Sequence, residues 1–162
     1  MKTRSVIITI CCFAVLILGA FLLVRGDDIP KPPKLTVSNE YGNKIEAQQG
    51  TYSWTDGNRT IFADSQGSLG LYNLGELKSI ETSENDDYSL DLKFGTAPES
   101  ISVAFYPKSA AETNDYGAMI TPPVSGSLAE YKFRTPDDSI YIVEVYAKYE
   151  KGNCYYYFYT TP

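Results

Sequence analysis

Few side chains of this chain could carry out nucleophilic or acid–base chemistry. Its 162 residues include 3 cysteines and no histidine, which is both the commonest general base and the commonest metal ligand. Cys154 is the one thiol that follows the apolar N-terminal segment, and no histidine can activate it. Its position in an alternating strand predicts a small buried side chain. We therefore expect no catalytic residue, no metal site and no cofactor, and a protein that is not an enzyme.

Acidic side chains are abundant, but their spacing does not indicate a site. Glu84, Asp86 and Asp87 belong to one polar run, and Asp137 and Asp138 follow a proline in another. Both runs are typical of solvated turns, and neither has the ligand spacing and glycine of a calcium loop. Paired carboxylates for glycoside hydrolysis are not indicated either.

The charge balance argues against nucleic acid as a partner. The formal net charge is −6. With Lys2, Arg4 and Arg25 set aside, 11 basic residues remain against 20 acidic ones, a net charge of −9. A domain this acidic repels a phosphate backbone.

An uninterrupted apolar run extends from Val6 to Val24 between two arginines. As a helix it would be about 28 Å long, close to the thickness of a bilayer's hydrocarbon core. The sequence therefore predicts a transmembrane segment at residues 6–24. A cleaved signal peptide is the alternative, with Val24 and Gly26 before the cleavage site, and it would give a secreted protein.

Flanking residues predict how the chain is arranged about the membrane. Lys2 and Arg4 favour a cytoplasmic N-terminus. Pro30, Pro32 and Pro33 favour an extended segment, because proline lacks a backbone donor and restricts φ. The predicted organisation is a cytoplasmic end at 1–5, a single-pass anchor at 6–24 in the cell membrane, a stalk at 25–34 and an extracytoplasmic domain at 35–162.

The domain has the alternation of β-strands. Residues 88–94 and 101–105 place apolar side chains at every second position. Shorter candidate strands are 35–37, 45–54, 60–63, 79–82 and 128–133. No window has a convincing helical period apart from an ambiguous stretch at 69–77. Several short strands separated by turn signals predict an all-β fold, an antiparallel immunoglobulin-like β-sandwich.

The last two strands are connected by a candidate turn. Gly152-Asn153 suits a two-residue type II′ turn with glycine first. This register would pair Tyr149 with Tyr156, Ala147 with Phe158 and Val145 with Thr160. All six would share one face with Tyr141, Val143 and Cys154, and we expect that face to lie in the core.

The opposite face of this hairpin is rich in tyrosine and is the candidate binding surface. The same register places Tyr146 opposite Tyr159, Lys148 opposite Tyr157 and Glu150 opposite Tyr155. The predicted binding residues are Tyr146, Tyr155, Tyr157 and Tyr159. Two alternatives remain open, namely that a loop at 108–121 covers this face or that cross-strand tyrosine pairs simply stabilise the sheet.

Several stretches occur in a characteristic order along the chain. They are Pro32-Pro-Lys-Leu-Thr-Val37, Ile45-Glu-Ala47, Gly50-Thr-Tyr-Ser-Trp54, Ala63-Asp-Ser65, Tyr141-Ile-Val-Glu-Val-Tyr-Ala-Lys-Tyr149 and Gly152-Asn-Cys-Tyr-Tyr-Tyr-Phe158. The chain resembles a poorly characterised extracytoplasmic domain of Gram-positive bacteria, which also occurs attached to membrane metallopeptidases of the β-lactam-sensor type. The resemblance spans nearly all of 35–161, and its most specific stretch is 50–54. The family pattern often has Trp where Tyr149 stands and Ala where Cys154 stands.

The resemblance implies a bacterial, membrane-anchored, non-catalytic accessory or sensory domain. Because the chain has no His-Glu-x-x-His motif, the protease activity of relatives is not implied. We expect a binding domain whose partner is a protein or a cell-envelope component. The alternative is a structural or stress-related surface protein with no specific ligand.

Overall fold

The computed structural model describes residues 30–82 and 88–162. The predicted cytoplasmic end, the membrane segment at 6–24 and the acidic run at Glu84, Asp86 and Asp87 lie outside the described residues. Within those two ranges, no helix is long and apolar enough to cross a membrane.

The described residues form two antiparallel sheets. Their strands are β1 (Leu35–Asn39), β2 (Lys44–Glu46), β3 (Gln48–Asp56), β4 (Arg59–Ala63), β5 (Ser79–Glu81), β6 (Ser89–Phe94), β7 (Ser100–Pro107), β8 (Val124–Ser127), β9 (Glu130–Arg134), β10 (Tyr141–Tyr149) and β11 (Gly152–Thr161). One sheet has five strands in the order β2-β1-β6-β9-β8. The other has six, in the order β4-β3-β11-β10-β7, with β5 paired in parallel to the end of β11. The predicted all-β sandwich is confirmed at this level.

One apolar core lies between the two sheets, and the alternation of the sequence builds it. Leu90, Leu92 and Phe94 of β6 face Val103 and Phe105 of β7 within a single buried cluster. The predicted core face of the C-terminal hairpin belongs to the same cluster, including the fully buried thiol of Cys154. The assignment of these side chains to the core face is therefore confirmed.

Short helices cover the outer face of the six-stranded sheet. They are α1 (Gly67–Asn73), α2 (Lys108–Thr113) and a 3₁₀ turn (Tyr116–Ala118). Leu69 and Leu71 of α1 and Ala110 and Ala111 of α2 are buried against side chains of this sheet. The sequence indicates an ambiguous helix at 69–77 and leaves open a loop at 108–121 that covers this face. A cover is present, and α1, α2 and the 3₁₀ turn form it.

The predicted register of the hairpin is wrong. The turn residues are Glu150 and Lys151, so that Tyr149 pairs with Gly152 and each predicted partner is displaced by four residues. The observed pairs include Ala147 with Cys154, Val145 with Tyr156 and Val143 with Phe158. A displacement by an even number keeps every side chain on its face, which is why the two faces were predicted correctly.

Gly152 has a role that the turn assignment did not foresee. Its φ is +148°, and a Cβ at this position would collide with the backbone carbonyl of Ser53 and with Trp54 in strand β3. The glycine therefore allows β3 to approach β11 closely.

Two other predicted strands differ at their ends. The predicted strand 45–54 is divided at Ala47 into β2, which pairs with β1, and β3, which pairs with β11. The predicted strand 128–133 begins at Glu130, and it pairs with β8, which the sequence did not indicate.

The end of the predicted stalk lies against the domain. Pro32 is buried, and the Gln49 side-chain amide donates to the carbonyls of Pro32 (2.8 Å) and Pro33 (3.2 Å). The hydroxyl of Tyr156, a fully buried core residue, donates to the Pro33 carbonyl at 2.6 Å. Since Tyr156 has one proton to give, Tyr149 must donate in the 3.0 Å contact between the two hydroxyls.

We predict that Gly152→Val lowers the free energy of unfolding by about 2–4 kcal/mol, because the side chain requires a strained φ and meets the β3 backbone. Urea unfolding of the full-length protein in detergent, followed by the fluorescence of the single tryptophan, measures this change. Asn58→Ala is the control, since Asn58 is exposed in the β3–β4 turn. Equal unfolding midpoints for the two variants would contradict the close approach of β3 to Gly152.

Candidate functional site

The four predicted tyrosines lie on the outer face of β10 and β11, as expected, but in a different arrangement. Tyr146 pairs with Tyr155 across the strands, and their ring centroids are 4.9 Å apart. The predicted pairing of Tyr146 with Tyr159 is wrong, because Tyr159 lies opposite Ile142. Tyr155 also stacks on Tyr157 with a centroid distance of 6.3 Å.

The helices leave this tyrosine row unequally exposed. Tyr157 is only 3% exposed and belongs to the cluster beneath α1 and α2. Tyr159 is half-buried and its ring meets Tyr72 of α1 edge to face at 5.2 Å. Tyr146 and Tyr155 are also half-buried and pair with each other, and Tyr155 packs against the buried cluster beneath the helices. We call this pair, Tyr146 with Tyr155, the tyrosine ledge.

Gly50 explains part of the most specific stretch of the sequence. A Cβ at Gly50 would overlap the ring of Tyr157, which lies across the backbone of β3. At the other end of the same stretch, Trp54 is buried in the core and its ring meets that of Tyr149 at 5.4 Å. The stretch 50–54 therefore contributes to both faces of the sheet. Gly50 leaves room for the ring of Tyr157 on the outer face, and Trp54 packs in the core on the other face.

Glu144 is a half-buried carboxylate directly beside the tyrosine ledge. It lies on the outer face of β10, opposite Tyr157 and two residues before Tyr146. The hydroxyl of Ser68, which is fully buried in α1, donates to Glu144 Oε2 at 3.1 Å. This hydrogen bond fixes the carboxylate and attaches α1 to the sheet.

No cation neutralises Glu144 within the described part of the chain. Ion pairs found there include the exposed pairs of Lys34 with Glu46, Lys93 with Glu130, Lys148 with Glu99 and Lys151 with Asp56. Burial raises the pKa of Glu144 above its ordinary value, although the Ser68 hydrogen bond opposes this shift. Among the described residues, the Glu144 carboxyl group therefore has no cationic partner.

Glu144 contributes to the raised pKa values of the tyrosines near it. Burial, reinforced by the nearby carboxylate, raises the pKa of Tyr106 to about 12. The pKa of Tyr157 is also raised to about 12, and that of Tyr155 is raised, for the same two reasons. These phenols are therefore neutral at physiological pH.

Glu144 was missed as a site residue from the sequence. The available signal was an acidic residue at an outward position of the otherwise apolar strand 141–147. That signal became meaningful only with the helices in place, because they turn an exposed position into a half-buried one.

The other candidate groups, the Cys154 thiol and the Asp137 carboxylate, have environments typical of structural residues. Burial raises the pKa of the Cys154 thiol to about 12, so it stays protonated at neutral pH and is a poor nucleophile. Asp137 accepts hydrogen bonds from the Ser139 backbone (2.8 Å) and the Tyr141 hydroxyl (3.2 Å), which lower its pKa. In residues 30–82 and 88–162, no group of three or more His, Cys, Asp or Glu side chains could hold a metal ion.

Comparisons with known proteins find no matching family model, no matching curated protein and no matching solved structure. The resemblance to a Gram-positive extracytoplasmic domain therefore remains a prediction from the sequence. The interpretation of the site rests on the geometry of the tyrosine ledge and Glu144.

We predict that Glu144→Gln raises the melting temperature of the full-length protein by about 2–4 °C at pH 7. The raised pKa means that the protonated form of Glu144 stabilises the fold below the ordinary value of 4.5 and that this contribution is lost as pH rises. The amide keeps an oxygen for Ser68 without a buried charge. Thermal unfolding by circular dichroism between pH 4 and 8 should show the gain vanishing at the acidic end.

Glu150→Gln is the matched control for this measurement, because Glu150 is exposed in the hairpin turn. It should change the melting temperature by less than Glu144→Gln at pH 7. A Glu144→Gln variant less stable than wild type at pH 7 would show that the anion stabilises the fold.

We predict that Gly50→Ala destabilises the protein by about 1–3 kcal/mol, because its methyl group displaces the Tyr157 ring from beneath α1. Tyr157→Ala removes the ring that the new methyl group would meet, although losing this buried ring also destabilises the protein. The double variant should therefore lose clearly less stability than the sum of the two single variants, as measured by urea unfolding. Additive losses would mean that Gly50 and Tyr157 do not interact.

Proposed function

We propose that this chain is a non-catalytic binding or sensory domain, anchored in the membrane and exposed outside the cytoplasm. Its partner is a protein or a component of the cell envelope. The observation that carries the proposal is the tyrosine ledge, a partly exposed pair of tilted rings in contact, beside a carboxylate that has no counter-ion among the described residues.

The ledge has the properties of a contact surface. Tyrosine offers a large rigid apolar area together with a hydroxyl, and such residues dominate the energetics of many interfaces. Here both rings are attached to the two central strands of a sheet, so little conformational entropy would be lost on binding. The rest of the same row is already covered by the protein's own helices.

A non-catalytic role agrees with the available chemistry. The chain has no histidine, and the buried thiol of Cys154 is held protonated. The excess of acidic residues argues against nucleic acid as a partner and favours a neutral or basic one.

The arrangement about the membrane is part of the proposal. Residues 6–24 would form a single-pass anchor with residues 1–5 in the cytoplasm and 35–162 outside, and cleavage to a secreted form is the alternative. The immunoglobulin-like class is likewise proposed, supported by two antiparallel sheets that pack around one core. Membership of the Gram-positive family that the sequence resembles is also part of the proposal.

One observation favours a second candidate, a structural surface protein without a specific ligand. Tyr157 and Tyr159 are engaged by α1 and α2, so half of the tyrosine row serves the packing of the protein itself. In that case Tyr146 and Tyr155 would continue the same packing at its margin.

We predict that Tyr146→Ser/Tyr155→Ser abolishes partner capture while the protein remains folded. Full-length protein in detergent would be immobilised and exposed separately to detergent-solubilised envelope and to isolated cell-wall material. Wild type should retain a defined component at least about tenfold better than the double variant, since truncating central aromatic residues typically costs more than 1 kcal/mol each.

Tyr41→Ser is the matched control, because Tyr41 is an exposed aromatic residue in the β1–β2 turn, far from the ledge in the strand order. It should capture the component as wild type does. If all three proteins retain the same material, or none retains any, the ledge is structural and the second candidate is favoured.

A further inference from the structure

One oxygen of Glu144 is held by the protein and the other is free. Oε2 accepts the hydroxyl of Ser68, and Oε1 has no hydrogen-bond partner among the described residues. In this part of the chain no buried side-chain oxygen or nitrogen lacks a partner. Oε1 is therefore not fully buried, and it belongs to a carboxylate that Ser68 holds through its other oxygen.

We propose that Glu144, Tyr146 and Tyr155 together bind the primary ammonium group of a lysine side chain on a partner protein. This inference rests on the proposed function and gives the chemistry that its site recognises. The ammonium would donate to Glu144 Oε1 while the rest of the side chain contacts the tyrosine ledge.

A single free oxygen suits an ammonium group better than a guanidinium group. Arginine recognises carboxylates with two parallel hydrogen bonds, which would require both oxygens of Glu144. Because Ser68 already donates to Oε2, a bidentate arginine would have to share that oxygen with this buried hydroxyl. Lysine presents a compact charge that needs one acceptor. A quaternary ammonium has no proton to give to Oε1.

The spacing along β10 suits the stem of a lysine. Tyr146 is two residues after Glu144 on the same face, or about 6.6 Å along the strand. An ammonium at Oε1 would therefore place its four-carbon stem against the rings of Tyr146 and Tyr155. The faces of these rings also attract a cation directly.

Charge complementarity identifies the partner as basic. Lys148 lies further along β10 but is engaged with Glu99 at 3.4 Å, so it does not serve Glu144. The chain from Gly26 onward carries a net charge of −9 and would attract a basic surface. A half-buried carboxylate also attracts a cation more strongly than an exposed one, because less solvent screens it.

The test uses full-length protein in detergent with ¹³C-labelled tyrosine and a blocked Gly-Lys-Gly peptide. We expect the peptide to shift the resonances of Tyr146 and Tyr155, identified through their Tyr→Phe variants. Glu144→Gln should raise the dissociation constant at least about tenfold. Glu150→Gln, which removes an equal but exposed charge, should leave the constant within about twofold of wild type.

Three further ligands distinguish the chemistry. A blocked Gly-Arg-Gly peptide and a peptide with acetylated lysine should both bind at least about tenfold more weakly than the lysine peptide. Butylamine tests the source of the ammonium and should bind more weakly, because it lacks the peptide backbone. Equal binding of butylamine would overturn the assignment to a partner protein.

Equal binding of the lysine peptide to wild type and Glu144→Gln would overturn the proposed site. This failure is separable from failure of the binding function. If the Tyr146→Ser/Tyr155→Ser variant loses envelope capture and the lysine peptide does not bind, the ledge is an interface for a different chemistry. If the peptide binds as expected and nothing is captured, the proposed envelope-binding function fails, while the ammonium site at Glu144 stands independently of it.

Discussion

Strands β10 and β11 are apolar on both faces, and both faces have to be covered. An antiparallel sheet commonly leaves one face to water, but here the five-stranded sheet covers one side of the hairpin and α1 and α2 cover the other. Helices this short are not stable alone, so they exist because the outer face of the hairpin binds their apolar side chains. The need to cover this face also explains why Glu144 is partly buried. Helix α1 lies over the face, and its residue Ser68 donates a hydrogen bond to Glu144.

Tyrosine suits such a doubly covered sheet. A buried phenylalanine would give the same apolar area, but a tyrosine hydroxyl can also satisfy backbone carbonyls that the packing leaves without partners. The hydroxyl of Tyr156 donates to the carbonyl of Pro33, and the hydroxyl of Tyr149 donates to that of Tyr156. The two core tyrosines and Pro33 are therefore joined by consecutive hydrogen bonds. In the described part of the protein, no buried polar side-chain atom lacks a hydrogen bond. The abundance of tyrosine therefore has a structural cause as well as a proposed functional one.

Side-chain alternation predicted which residues share a face, but it could not predict which residues pair. A strand pattern of period two is unchanged by an even displacement, so the wrong turn at Gly152 still assigned Tyr146, Tyr155, Tyr157 and Tyr159 to the outer face. The close contact that requires Gly152 is with β3, which is about a hundred residues earlier, so local patterns could not separate this role from a turn. The helices were missed for a related reason. At seven and six residues, without capping side chains, they are too short for a recognisable period, and tertiary packing stabilises them. Glu144 could not be recognised before its cover was known.

The attachment of Pro33 to Tyr156 determines how a mechanical load would enter the domain. Tension along the chain before Pro30 would first meet the hydrogen bonds of Pro32 and Pro33 with Gln49 and Tyr156, which belong to β3 and β11 of the six-stranded sheet. Immediately afterwards the chain enters β1 of the opposite sheet, between β2 and β6. A pull would therefore be shared by both sheets at once, instead of peeling β1 away residue by residue. In a domain tethered at this end, this anchorage would let the fold resist shear from its surroundings.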